Sequence, residues 1–203
     1  MLVLARGSRL SSTSRRRARQ REYGRRVKYV ALIRGINVGG KHIIRMTDLK
    51  ACFEEQGLKD VATYIQSGNV VFSARAKPAE IARRLEAALH ATFDCQTKVV
   101  LRSQVEMAAI VARAPRGFGK ESTRYRYDVI FLNAPLTAAA AIAKVPMKEG
   151  VDQAHAGAGV LYFSRLISKA TQSKLGRVVS LPIYKEMTIR NWRTTTTLLQ
   201  MMG

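Results

Sequence analysis

The sequence predicts an α/β (α+β) fold: two ferredoxin-like α/β plaits in tandem, each βαββαβ, closed by a C-terminal helix. Three observations predict it. Short apolar runs of strand length alternate with segments that are apolar at helical spacing. The same element order appears twice along 203 residues. Glycine-bearing turns fall where the second and third strands of each unit must be joined.

The first unit is assigned to residues 27–102. Lys28–Arg34 is a short apolar run stopped by Gly35 and reads as a buried strand. Val30 and Leu32 point to one face, and Tyr29, Ala31 and Ile33 to the other. A strand that is apolar on both faces needs cover on both, so the other half of the chain or a partner subunit is expected against it. Met46–Gln56 places Leu49, Cys52 and Phe53 at helical spacing before the stop signal Gly57. Val61–Gln66 and Asn69–Ser73 read as strands joined tightly through Ser67-Gly68. Pro78 opens a second helix with Ile81, Leu85 and Leu89 inward, and Gln96–Leu101 is the fourth strand.

Residues 103–126 are read as a helix and a basic linker. Ser103 and Glu106 have capping-box spacing for a helix reaching about Ala112, and Arg113 to Arg126 is loop-like. The second plait-like unit, with the final helix, takes residues 127–203. Tyr127–Leu132 is a strand and Thr137–Ala143 an alanine-rich helix. Gly150–Ala154 and Val160–Ser164 are strands around the turn Ala156-Gly157-Ala158-Gly159. Gln172–Leu181 is expected as a helix with Leu175, Val178 and Val179 inward, and Met187–Arg190 as a strand. Asn191 then caps a helix to about Met201.

Composition narrows the function classes. An apolar share of 47% is too high for a disordered chain. The longest weakly polar stretch, Leu132 to Val145, is broken by Asn133, Pro135 and Lys144, so no membrane is expected as a partner. Cys52 and Cys95 exclude a disulfide scaffold and read as small core residues in a reducing, cytoplasmic compartment. His42, His90 and His155 have no metal-ligand spacing, so neither a metal nor a cofactor is expected.

Thirty-five Lys and Arg stand against 14 Asp and Glu, a net +21. Residues 1–26 hold nine arginines and one acid, which leaves 26 basic and 13 acidic residues from position 27 onward. This basic leader, expected to be disordered, fits a transit peptide, a basic arm for nucleic acid, or a natural start near Val27. The abrupt onset of the strand pattern at Lys28 favours the last.

Three motifs carry a family resemblance: Arg34-Gly35-Ile36-Asn37-Val38-Gly39-Gly40, Thr63-Tyr64-Ile65-Gln66-Ser67-Gly68-Asn69-Val70-Val71-Phe72, and Met187-Thr188-Ile189-Arg190-Asn191-Trp192. In this order they resemble the bacterial domain of unknown function 1697 family, from about residue 28 to 201. The resemblance implies two α/β-plait halves and no assigned activity. Arg193-Thr194 departs from the Asn-Thr of the family pattern.

Gly35 to Lys41 matches a phosphate-loop spacing, but His42 stands where the magnesium-binding Ser or Thr belongs, and the following helix starts late. A nucleotide triphosphatase is therefore not expected. What remains is an anion nest of backbone N–H groups with Arg34 and Lys41. The first two strands of a plait run the same way, so this loop and the Gln66–Asn69 hairpin must meet at one sheet edge. The candidate ligand-binding residues are Arg34, Gly35, Asn37, Gly39, Gly40, Lys41, Ser67, Gly68 and Asn69. Arg190, Asn191 and Trp192 are secondary candidates, as an anion clamp and a stacking ring, with Asn191 as a helix cap and Trp192 as a core anchor the favoured reading. No Gly-x-Ser-x-Gly elbow or other catalytic motif is present, so no reaction is assigned.

The function expected from these residues is binding of a phosphate-bearing, nucleotide-type or other anionic ligand at that edge. Nucleic-acid binding through the basic run Arg113, Arg116, Lys120, Arg124 and Arg126 is the alternative. A module for protein interaction without a small-molecule site is a third reading. Oligomeric state is left open.

Overall fold

A computed structural model describes residues 26–37 and 43–203. The expectations for the leader, and for Gly39, Gly40 and Lys41, fall outside the described residues. Within them the chain is a mixed α/β protein with two four-stranded antiparallel sheets. The first holds β1 (Val27–Ile33), β2 (Lys59–Tyr64), β3 (Asn69–Ala74) and β4 (Val99–Ser103), in the order β2-β3-β1-β4. The second holds β5 (Tyr125–Leu132), β6 (Asp152–Gly157), β7 (Val160–Leu166) and β8 (Met187–Asn191), in the order β6-β7-β5-β8. The helices are α1 (Met46–Glu55), α2 (Pro78–Phe93), α3 (Gln104–Ala112), α4 (Ala138–Ile142) and α5 (Trp192–Met202).

Local chemistry explains these elements. In α2, Pro78 lies in the first turn, Ile81, Leu85 and Leu89 form one buried face, and Asp94 closes the helix in the left-handed region at φ 49°. The capping box of α3 is present: Ser103 Oγ accepts from the Glu106 N–H, and Glu106 accepts in turn from the Ser103 N–H at 2.7 Å.

The double-sided strands decide the layering. Tyr29, Ala31 and Ile33 join Leu49, Phe53, Ile81 and Leu85 in a core under α1 and α2. Val30, Leu32, Val71 and Val100 face inward and meet Val129, Phe131 and Tyr162 of the second sheet. Met107 and Ile110 of α3 and Leu198 and Met202 of α5 fill the space between the sheets. The cover expected for the inner face is thus the other half together with two helices of the same chain. Ile130, Leu132, Leu161 and Phe163 pack outward under α4 and the segment before β8. Each such fully buried side chain contributes on the order of 1.5–3 kcal/mol.

Two strands are shifted, β6 running on through Ala156 and Gly157 of the expected turn and β5 starting at Tyr125 within the expected linker, and one element differs in type. Gln172–Leu181 is not an α-helix; residues 167–186 form three 3₁₀ turns, Ile167–Gln172, Leu175–Ser180 and Pro182–Glu186. Gly176 and Pro182 break a long helix, and only Leu175 and Val178 are buried, three residues apart, which is the 3₁₀ repeat. Val179, expected inward, is 57% exposed.

The two halves repeat position by position. Val30 pairs with Arg102 across β1 and β4, and Val129 pairs with Arg190 across β5 and β8. Leu32 pairs with Asn69, and Phe131 with Val160, which places Gly68 and Gly159 at the same point of the two hairpins. Ser103 and Asn191, the residues after the paired arginines, both cap the helix that follows.

Candidate functional site

The loop after β1 and the β2–β3 hairpin do meet at one edge: the Ile33 N–H donates to the Gly68 carbonyl at 2.8 Å. Their polar groups are committed to one another. Asn37, in the left-handed region at φ 55°, donates through Nδ2 to the Ile44 and Gln66 carbonyls at 3.0 and 2.9 Å. Its Oδ1 accepts from the Ile44 N–H at 2.7 Å. Asn69 is fully buried; its Nδ2 donates to the Tyr64 carbonyl and to Ser67 Oγ, at 3.1 and 2.9 Å.

Arg190 locks this edge from the other half. Its Nε donates to Asn69 Oδ1 at 2.5 Å, and Nη1 to Thr188 Oγ1 and the Ile189 carbonyl, both at 2.8 Å. Nη2 reaches the carbonyls of Ile33, Ser67 and Gly68 at 2.8, 2.9 and 3.3 Å. No carboxylate among the described residues pairs with it. Burial pushes the guanidinium down to about 10, and the neutral oxygen acceptors around it are what hold the charge. Gly68 sits at φ +72°, and a Cβ there would stand 2.8 Å from the Ile33 carbonyl oxygen, so the hairpin can lie this close only with glycine.

Arg34 is the exception in this set. It is half-buried, its guanidinium lies over the Tyr184 ring at 5.0 Å, and its buried Nε has no hydrogen-bond partner. Gly35, exposed at φ 74°, turns the chain. A cleft of about 310 Å³ opens beside Asn37, Gln66 and Arg45.

Sequence reasoning missed Arg102. Its Nη2 donates to the carbonyls of Leu132 and Gly159 at 2.5 and 2.9 Å, and Nη1 to the Leu101 carbonyl at 2.7 Å. It does for the second half what Arg190 does for the first. The signal was present: Leu101-Arg102-Ser103 and Ile189-Arg190-Asn191 each put an arginine before a cap residue.

The third constellation lies where β5 outruns its partner. Pairing with β8 stops at Asp128 opposite Asn191, and the chain then turns into α5. Tyr125, Arg126 and Tyr127 are left without a β8 neighbour. In this angle a cleft of about 620 Å³ is lined by these three with Asp128, Arg165, Trp192 and Arg193. Asn191 is committed as a cap, its Oδ1 accepting from the Thr194 N–H at 2.7 Å. Trp192 is half-buried, edge-on to Phe118 at 5.1 Å, and so close to Gly119 that a Cβ there would overlap the indole.

The electrostatics of this cleft are incomplete. Asp128 is 7% exposed and sits 3.3 Å from Arg165 Nη2, yet Asp128 Oδ2 and Arg165 Nε are buried without a hydrogen bond. Burial raises the Asp128 carboxyl, against the pull of Arg165 and Arg126. Arg126 and Arg193 are exposed and form no ion pair among the described residues. Buried polar groups are normally hydrogen-bonded; here Asp128 Oδ2 is held by its ion pair with Arg165 alone, and Arg165 Nε is left without a hydrogen bond.

The repeat isolates this chemistry in one half. By register and helix start, Arg126, Asp128, Arg165, Trp192 and Arg193 correspond to Val27, Tyr29, Ala74, Gln104 and Val105. The bracing arginines and hairpin glycines are duplicated; the charged and aromatic cleft is not.

Among the described residues no three His, Cys, Asp or Glu side chains come together as metal ligands. Cys52 and Cys95 are buried free thiols, both raised by burial. No helix of the described residues is long and apolar enough to cross a membrane.

Comparison with known proteins agrees with this picture at the level of fold. A family model described as a protein of unknown function (DUF1697) matches residues 27–162. The chain is similar to the solved structure of a conserved bacterial protein from Streptococcus pneumoniae, with a TM-score of 0.76 and 24% identity over 88% of this chain and 100% of that one. No curated protein matches the chain.

Proposed function

From the premise that this chain belongs to the DUF1697 family of proteins of unknown function, we propose that it binds a nucleotide-type ligand, an aromatic ring joined to phosphate, in the cleft between the start of β5 and the start of α5. The observation that carries this reading is the meeting of Trp192, Tyr125 and Tyr127 with the open guanidinium groups of Arg126 and Arg193 in a space of about 620 Å³. Rings offer a stacking surface to a base, and guanidinium forks suit phosphate oxygens. A space of this size is in the range of small-molecule sites.

Each sheet with its helices is read as one ferredoxin-like plait, supported by the orders β2-β3-β1-β4 and β6-β7-β5-β8. In this reading the units 27–102 and 127–203, joined by 103–126, form a duplicated scaffold in which one copy carries the site. The glycine-bearing edge around Asn37, Ser67 and Asn69 serves mainly to lock the halves. Arg34, with its unpartnered Nε, is the residue there through which a second, smaller anion site would act.

Trp192 is the sole tryptophan and lines the cleft, so its emission reports binding directly. Titration with adenosine 5′-monophosphate and guanosine 5′-monophosphate is expected to quench it saturably in the parent. In Arg126→Ala and Arg193→Ala the affinity is expected to fall several-fold with folding unchanged. Quenching that is absent in the parent, or equal in all three proteins, contradicts the reading.

A further inference from the structure

We propose that this cleft is one end of a longer track for single-stranded nucleic acid that crosses Tyr125 and Tyr127; the proposal rests on the nucleotide-type reading of the cleft. A second cleft of about 190 Å³ shares the Tyr125 and Tyr127 walls and adds Arg116, Gln153 and His155 on their far side. The ring series is continuous: Tyr125 to Tyr127 at 6.0 Å, Tyr127 to Phe118 at 4.8 Å, and Phe118 to Trp192 at 5.1 Å. Arg124 lies over the Tyr125 ring at 5.2 Å.

Charge follows the same line. The two acids beside it are already paired, Glu121 with Arg124 at 3.5 Å and Asp128 with Arg165 at 3.3 Å. Arg116, Arg126 and Arg193 are exposed and form no ion pair among the described residues. A single nucleotide needs rings and cations on one side of the tyrosine pair. Cations on both sides, with rings between, match a strand whose bases stack and whose phosphates pass from one guanidinium to the next.

The test uses the full chain and a fluorescein-labelled oligothymidylate of about ten nucleotides, read by anisotropy between roughly 50 and 200 mM salt. Arg116 lines only the far cleft. Arg116→Gln is expected to weaken oligonucleotide binding and lower the salt slope by about one, while adenosine 5′-monophosphate binding stays unchanged. Tyr125→Leu is expected to weaken oligonucleotide binding about tenfold and Tyr125→Phe to retain it, because charge is the same in both and only the ring differs. Should Tyr125→Leu fold poorly, Arg116→Gln, at an exposed position, still decides. If both variants bind the oligonucleotide like the parent while Arg126→Ala and Arg193→Ala lose the mononucleotide, the track is refuted and the cleft reading stands. If the mononucleotide does not bind the parent at all, the cleft reading fails, and the track with it.

Discussion

Arg102 and Arg190 occupy the same register position in the two sheets, and each braces the half of the chain to which it does not belong. Arg102, from β4, donates to the carbonyls of Leu132 and Gly159; Arg190, from β8, donates to those of Ile33 and Gly68. Both pairs of acceptors are the end of a first strand and the glycine of a hairpin. Within each pair the two backbones are already bonded, Leu132 N–H to Gly159 at 3.0 Å and Ile33 N–H to Gly68 at 2.8 Å. The exchange makes each half complete the other, so the halves should unfold together.

Removing either arginine tests the exchange. Arg190→Met removes the Arg190 donor from Asn69 Oδ1 and from the carbonyls of Ile33, Ser67 and Gly68, the last of which keeps the Ile33 N–H, and should cost about 3–5 kcal/mol in denaturant unfolding. Arg102 is half-buried, so water can reach its acceptors, and Arg102→Met should cost about 1–3 kcal/mol. Equal, small losses would show that the bonds are incidental.

The two hairpin glycines should differ in their tolerance of a methyl group. Both have positive φ, which alone disfavours alanine by about 1–2 kcal/mol. At Gly68 the added Cβ also meets the Ile33 carbonyl oxygen at 2.8 Å and side chains at 3.0 Å; at Gly159 it meets only the guanidinium end of Arg102, at 3.2 Å. Gly68→Ala should therefore lower the melting temperature clearly more than Gly159→Ala. A reversed order would contradict the close approach at the first hairpin.

Asp128 gives a pH signature. Burial holds its carboxyl above the ordinary 3.8, so the folded chain binds that proton more tightly than the unfolded chain. Stability contributed by this group is complete at low pH and falls as pH rises from about 3.8 through the higher folded value. Asp128→Asn lacks this loss, so its stability relative to the parent should rise with pH across that window and then level. A flat difference would show that Arg165 and Arg126 cancel the effect of burial, and one that falls with pH that they outweigh it.

Much of the scaffold was legible in the sequence because it depends on neighbours in the chain. The Ser103–Glu106 box, the Asn191 cap, the Gly68 turn and the two-faced pattern of Val30 to Ile33 are local signals, and each appears where the spacing put it. The meeting of the Gly35 loop with the Ser67 hairpin followed from topology. What the sequence did not show is which arginine finds carbonyls and which stays open. Arg34 directly follows β1 and Arg190 is the next-to-last residue of β8, but only Arg190 reaches the carbonyl cluster of the opposite half. The cleft was hidden for another reason: it exists because β5 extends past the last residue of β8, a difference of strand length that no motif records.

Nucleotide binding in the Trp192 cleft is tested most directly by a crystal structure of the protein soaked with adenosine 5′-monophosphate. Phosphate density is expected between Arg126 and Arg193, with a ring packed against Trp192 or the Tyr125–Tyr127 pair. Phosphate seated instead beside Arg34 and Ser67, with the Trp192 cleft holding only solvent, would contradict it.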